Sequence, residues 1–262
     1  ERKCIPDEIL DQIIGECGLS MKNRKGVRRV EHTVVERKIV PAGTMEIGVC
    51  AAGSGIGATY TSILCAQSLS LEYKVAYVEQ NGSGHMRSLL ETLDAGVREG
   101  AEGGIFSYQG VDYYFGMDYL QFATGHRNAY DFVVADFGIL DTECAVREFC
   151  RMNRHFVVVA HAPWRKRDIS NCCQRMQEEA HMEDAVYLTP YTASRGLRKQ
   201  IDAACDSGEV QEVGYAADAF DPGQPQRDLF YRICGAARED AQKKESLFQR
   251  IKRKMSGAVP FA

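Results

Sequence analysis

The sequence predicts one α/β domain: a doubly wound, mostly parallel sheet flanked by helices on both faces, arranged as a three-layer sandwich. Three observations carry this prediction. Short apolar runs of strand length, such as Phe132-Val133-Val134-Ala135 and Phe156-Val157-Val158-Val159-Ala160, are nearly continuous rather than alternating, the pattern of strands covered on both faces. Helix-length segments separate these runs. A glycine-rich stretch, Ile47 to Thr59, joins the first clear strand to the first helix.

The elements follow in order along the chain. Residues 1–40, with a polar, basic part between Met21 and Arg29, read as an extension or linker before the domain, which spans 41–236. Strands are expected at 46–51, 74–79, 132–136, 155–161 and 185–189, and helices at 58–71, 86–97, 141–152, 166–181 and 194–206. Between 103 and 125 the rhythm breaks. There Phe106, Tyr108, Val111, Tyr113, Tyr114 and Phe115 fit a short hairpin turning at Gln109-Gly110, with its aromatics in the core. Residues 237–262 read as a basic amphipathic helix, in which Leu247, Phe248, Ile251 and Met255 share one face and Arg250, Lys252, Arg253 and Lys254 line the rest.

With 262 residues, 45% of them hydrophobic, the chain can bury one substantial core. A net charge of -4 gives no global signal for nucleic acid, which calls for a basic excess or a basic face. No apolar run reaches the roughly 18 to 20 residues of a membrane span, and no secretory signal core opens the chain, so the domain is expected in the cytoplasm. The ten cysteines are scattered without a CxxC pair and read as reduced thiols.

The glycine-rich stretch carries the chemistry. Gly53, Gly55 and Gly57 let the backbone turn tightly and approach an anion, while the free N–H groups at the helix start point at it. As a dinucleotide fingerprint, Gly53-x-Gly55-x-x-Ala58 matches G-x-G-x-x-G/A, and Glu79 at the end of the next strand is placed for a ribose hydroxyl. Ala52 to Gly57 also resembles the loop of short-chain dehydrogenases. That family's Tyr-x-x-x-Lys pair is missing, the nearest case being Tyr191 with Arg195, and about 50 residues precede the loop. An NAD(P)-binding oxidoreductase is therefore the second reading.

As a phosphate loop, the same residues resemble the deviant Walker A motif of the ParA/MinD family of ATPases, G-K-G-G-x-G-K-[ST]. Gly55, Gly57 and Thr59 match; Ala52 replaces the first glycine, Gly53 the signature lysine, and Ala58 the lysine that contacts the β- and γ-phosphates. The rest of the chain supports the resemblance from Glu46 to Cys234. Val78 to Gly84 is similar to the family's switch segment, Tyr130 to Gly138 to its Walker B strand, and Val213 to Asp218 to the segment after its later strands. Lysine-less variants of the loop resemble the TadZ/CpaE-like branch, associated with localising pilus-assembly machinery.

The resemblance implies a P-loop NTPase-like fold that binds ATP or ADP on Gly53, Ser54, Gly55, Ile56, Gly57, Ala58, Thr59 and Tyr60. Thr59 and Asp136 would lie at a Mg²⁺ ion, and Glu79 and Asn81 in the switch. It further implies a homodimer closing across the loop face, a protein assembly machinery as partner, and a terminal helix resting on the inner face of the membrane. That helix also fits a packed terminus or a linker. Without the two lysines, and with Asn81 where an acidic water-positioning residue is expected, little or no hydrolysis is implied, because such cations supply the largest catalytic contribution. Backbone amides, the helix dipole and Thr59 remain for binding. A loop kept only for helix–strand packing is the alternative, and an active partition-type ATPase would need a cation the loop lacks. His85 and Arg87, and the rim segment Trp164-Arg165-Lys166-Arg167, are further charges for a ligand or partner, and each also fits a solvated surface. His161 and Cys144 have no partner spacing for a metal site or a dyad.

Overall fold

The computed structural model describes residues 43–93, 98–100, 103–160, 162–179, 185–190, 195–204 and 209–236, all within one compact unit, Arg37–Ala262. The extension 1–40, the tail helix 237–262 and His161 lie outside the described residues. In chain order the elements are β1 (Met45–Ala51), α1 (Ala58–Ser70), β2 (Val75–Glu79), α2 (His85–Leu93), β3 (Arg98–Gly100), β4 (Gly103–Tyr108), β5 (Val111–Phe115) and α3 (Tyr119–Gly125). There follow β6 (Phe132–Ile139), α4 (Glu143–Cys150), β7 (Arg154–Val158), α5 (Lys166–Glu179), β8 (Ala185–Thr189), α6 (Arg195–Ala204), β9 (Glu209–Glu212) and α7 (Gln224–Ile233).

Among the described residues the strands form one sheet in the order β3-β4-β5-β2-β6-β1-β7-β8-β9. From β5 to β9 every neighbouring pair is parallel, and β3, β4 and β5 are antiparallel. The continuous apolar runs occupy the centre because both faces are covered. Ile47, Val49, Tyr77, Val134 and Phe156 pack with α1, α2 and α7, whereas Cys50, Val78, Val133, Ala135 and Val157 pack with α3, α4, α5 and α6. Helix α1 is buried from Thr61 through Leu69. Its polar side chains are satisfied locally: Ser62 and Ser68 donate to the carbonyls of Ala58 and Leu64, and Gln67 donates to the Tyr113 hydroxyl at 2.9 Å.

The hairpin turns at Gln109-Gly110 as expected, and its strand β5 continues the main sheet beside β2. The end of that segment is instead the helix α3, opened by a capping box between Asp118 and Gln121. The strand order also differs from that of the dinucleotide-binding fold on which the oxidoreductase reading rests. In the dinucleotide fold the first two strands are neighbours, whereas here β6 stands between β1 and β2. Among the described residues, Cys50, Cys65, Cys144, Cys150, Cys172 and Cys234 are free thiols.

Strand β1 delivers the chain to the loop, and its Gly48 lies under α4. A Cβ at Gly48 would meet Phe149 Cδ2 at 2.8 Å and Met152 Cγ at 2.9 Å. Gly48→Val is therefore expected to overpack this layer and destabilise the fold by about 1–3 kcal/mol. Urea unfolding should show a lower midpoint with an unchanged slope.

Candidate functional site

The loop leaves the sheet between its two central neighbours. Ala52 N donates to Val158 O at 2.9 Å, so the first loop residue is still anchored to β7. Gly55 (φ +71°) and Gly57 (φ +97°) adopt left-handed backbone, and a Cβ at Gly55 would meet no atom within 4 Å. These two glycines answer a need for conformation, and the space over Gly55 is open. Gly57 is the N-cap of α1, contributes no side-chain cap, and is followed by no acidic residue in the first turn. The first N–H groups of a helix lack intrahelical partners, so the positive end of α1 faces the loop without a side-chain cap. Ser54 and Gly55 are exposed, Ile56 and Thr59 half-buried, and Ala58 buried. Tyr60 donates its hydroxyl to Ala216 O at 2.5 Å, tying α1 to the Val213–Asp218 segment.

Gly53 is glycine for a different reason. It is buried, and a Cβ there would meet Asp168 Oδ2 at 2.6 Å and Arg165 Nη1 at 2.9 Å. These two side chains form an ion pair at 3.0 Å at the start of α5. The position that resembles the signature lysine is thus occupied from outside the loop.

Beneath the loop lies Asp136, with no exposed surface. Its strand pairs with β1 through a bulge: Val49 faces Asp136, while Cys50 faces Gly138, leaving Phe137 unmatched. Gly138 (φ +58°) turns its N–H back to Asp136 Oδ1 at 3.0 Å. Asp136 Oδ2 accepts from the Tyr77 hydroxyl at 2.8 Å and from Asn81 Nδ2 at 2.7 Å, and Asn81 Nδ2 also lies 3.3 Å from Thr59 Oγ1. A Cβ at Gly138 would come within 2.7 Å of Asn81 Cβ, so the amide reaches this place only past a glycine. Burial pushes the Asp136 pKa above the ordinary carboxylate value, against the hydrogen bonds from Thr59, Tyr77 and Gly138 N that favour the charged form. Burial likewise pushes Tyr77 up, helped by the Asp136 carboxylate.

Of the two switch residues, only Asn81 reaches the loop. Glu79 is buried and accepts from Ser83 Oγ at 3.0 Å and Met86 N at 3.2 Å, which fastens the turn between β2 and α2. Thr59 Oγ1 and the Asp136 carboxylate are hard oxygen donors of the kind Mg²⁺ takes, and they fit such an ion chemically. The Asn81 amide nitrogen, a donor, stands within hydrogen-bonding distance of both, so an ion entering there needs that amide to turn away. Among the described residues, no group of three or more His, Cys, Asp or Glu side chains gathers as a metal site.

The remaining candidates divide. His85 is exposed, and Arg87 lies over the Phe115 ring at 5.8 Å, beside a cleft of about 410 Å³ that includes Glu79, Gln80 and Met117. Trp164, Lys166 and Arg167 are exposed, and Arg165 alone of that run packs on the loop. Sequence reasoning missed Tyr77 and Asp168. The i, i+3 spacing of Arg165 and Asp168 at a helix start was a signal for the second, whereas nothing local marked Tyr77.

No protein-family model matches the sequence. No curated relative matches it either. Among solved structures, the chain is similar to a ParA family ATPase from Chlorobium tepidum TLS, with a TM-score of 0.50 and 14% identity over 74% of this chain and 99% of that one. It is also similar to MinD in the MinC:MinD cell division complex of Aquifex aeolicus, with a TM-score of 0.51 and 11% identity over 84% of this chain and 99% of that one. The fold is of the ParA/MinD type. A plasmid partition protein of Borrelia burgdorferi B31 bound to AMPPNP shares it, at a TM-score of 0.50 and 11% identity over 74% of this chain and 98% of that one. At these identities the likeness is one of fold.

Within this ParA/MinD-type fold the burial of Asp136 has a measurable signature. Its native pKa is raised, so the native state keeps a proton that the unfolded chain gives up above about pH 3.9. That contribution to stability is full below this pH and is lost as pH rises through the native value. The stability of the parent relative to Asp136→Asn is therefore expected to fall as pH rises from about 4. Urea unfolding of both proteins across a pH series reads the slope, and a difference independent of pH contradicts the assignment.

Proposed function

We propose that this chain is a degenerate ParA/MinD-like nucleotide-binding protein that localises or scaffolds a protein assembly, for example of a pilus or secretion system, with little or no ATP hydrolysis. One observation carries the reading: the loop keeps an open, left-handed backbone over the uncapped start of α1, while Gly53 and Ala58 stand where the resemblance expects lysines. Backbone N–H groups and the helix dipole suffice to hold phosphates. Phosphoryl transfer needs fixed cations against the developing charge, and the loop supplies none. ATP or ADP would lie on residues 53–60, with Mg²⁺ between Thr59 and Asp136 once Asn81 has turned away. The AMPPNP bound to the Borrelia burgdorferi neighbour supports a nucleoside triphosphate as ligand.

The output would be partner recruitment by a homodimer closing across the loop face. Exposed Ile139, Trp164 and Tyr215, which follow or end β6, β7 and β9 at the loop edge of the sheet, support that face as an interaction surface. The Aquifex aeolicus neighbour, solved in complex with MinC, supports a protein partner. No helix among the described residues is long and apolar enough to cross a membrane. Attachment to the inner face of the membrane would rest on residues 237–262, which the sequence pattern reads as a basic amphipathic helix, with the rest of the protein in the cytoplasm.

Calorimetry with ATP and with ADP in the presence of Mg²⁺ is expected to show binding, with turnover well below about one per second, the low end of typical enzymes. Absence of binding for adenine and guanine nucleotides at millimolar concentration leaves the loop as a packing element, and faster turnover returns the active-ATPase reading. Asn81→Asp exchanges the amide between Thr59 and Asp136 for a carboxylate. Mg²⁺ alone should raise the melting temperature of that variant more than that of the parent.

A further inference from the structure

We infer that Arg165 is the phosphate-contacting cation of this loop, held until the ligand arrives by Asp168. The inference rests on the nucleotide reading above and deepens it by naming a residue from outside the loop. Gly53 is where the loop resembles a motif with lysine, and the atoms that a side chain at Gly53 would strike belong to Asp168 and Arg165. A side chain at 53 would need the tips of Arg165 and Asp168 to move aside. The loop's missing charge and the approach of a guanidinium are thus two aspects of one packing arrangement.

The geometry favours a transferable cation. Arg165 ends the turn after β7 that leads into α5, so its backbone belongs to the rim where strands of an open α/β sheet end. Its guanidinium stays charged at any working pH and presents paired donors to phosphate oxygens. Both partners of the ion pair are a third exposed, and a pair of that exposure is held weakly. A phosphate group on the loop brings more negative charge than one carboxylate and can take Arg165 from Asp168. Arg175 is engaged differently. It lines, with Gly53, Asp168 and Asn171, a cleft of about 190 Å³ beside the loop, but its guanidinium donates to the carbonyl of Leu140.

Two substitutions that break the same ion pair separate this role from a structural one. Calorimetric titration of ATP and of ADP into the parent, Arg165→Gln and Asp168→Asn is the test, with circular dichroism reporting the fold of each. Loss of Arg165 is expected to weaken ATP binding roughly tenfold or more, the effect of removing a charged hydrogen bond. Asp168→Asn, which frees the guanidinium, should bind as tightly as the parent or more tightly. Arg165→Lys keeps the charge without the fork and should fall between parent and Arg165→Gln, which keeps the test usable should the glutamine variant unfold. Equal weakening in Arg165→Gln and Asp168→Asn makes the pair structural and overturns the inference, as does parent-like binding by Arg165→Gln. A parent that binds no nucleotide defeats the nucleotide reading itself, an outcome distinct from both because it appears before any substitution.

Discussion

A carboxylate with no exposed surface has to be satisfied by its neighbours, and the donors around Asp136 hold the loop to the sheet. Burying an ionised group without partners is expensive, so the charged form of Asp136 requires donors placed before any ligand arrives. They come from separate elements: the Tyr77 hydroxyl from β2, the Asn81 amide from the turn after β2, and the Gly138 N–H from the bulge in β6 itself. Asn81 then passes the connection to Thr59 in the first turn of α1. The relative position of helix, loop and switch is thus set by one residue in the middle strand between them. The unmatched Phe137 and the left-handed Gly138 are what allow β6 to turn its own backbone onto that carboxylate.

The glycines of the loop divide the two tasks that a phosphate loop ordinarily combines. Gly55 and Gly57 are required by backbone conformation, and they leave open space over the helix start. Gly53 is absent from the left-handed positions and lies instead against the side-chain tips of Arg165 and Asp168. Binding starts from the first kind, because amides and a dipole attract a phosphate before any side-chain charge is added. Catalysis depends on side-chain charge at the second, and there the chain has placed a neutral pair. Retention of one and loss of the other is a physical distinction between holding a nucleotide and cleaving it.

Much of this was legible in the sequence, because continuous apolar strands and glycine runs are local signals. The central strands showed themselves through burial on both faces, and the phosphate loop through glycine spacing between a strand and a helix. What escaped reading had weaker local signals or none. Strand β9, Glu209-Val210-Gln211-Glu212, lies at the sheet edge with exposed glutamates at both ends and one apolar residue, so it shows no apolar run. Helix α7 carried a start signal in Gly223 and Pro225, and α3 carried one in Asp118 and Gln121. Both are short and sit where the alternation of strands and helices had already lapsed. The contact between Tyr77 and Asp136 depends on β2 lying beside β6, a topological fact that spacing along the chain does not contain. Glu79 illustrates the same limit: its place at the end of β2 was legible, but the backbone turn that draws its carboxylate onto Ser83 and Met86 was not.

The substitutions around the loop share one electrostatic consequence. A cationic side chain at 58 would have to be desolvated in a buried position, and one at 53 would have to displace the tips of Arg165 and Asp168 and repel the guanidinium. Ala58 is buried, Gly53 is covered by a neutral pair, and the Asn81 amide joins Thr59 to Asp136, so the loop itself carries no buried cation. A nucleotide bound as proposed would act on the contacts it displaces, Asn81 from Thr59 and Arg165 from Asp168. Ligand binding that exchanges weak internal contacts, rather than completing a strained site, changes which surfaces are ordered more than it drives chemistry. That balance suits a protein whose output is a surface offered to a partner.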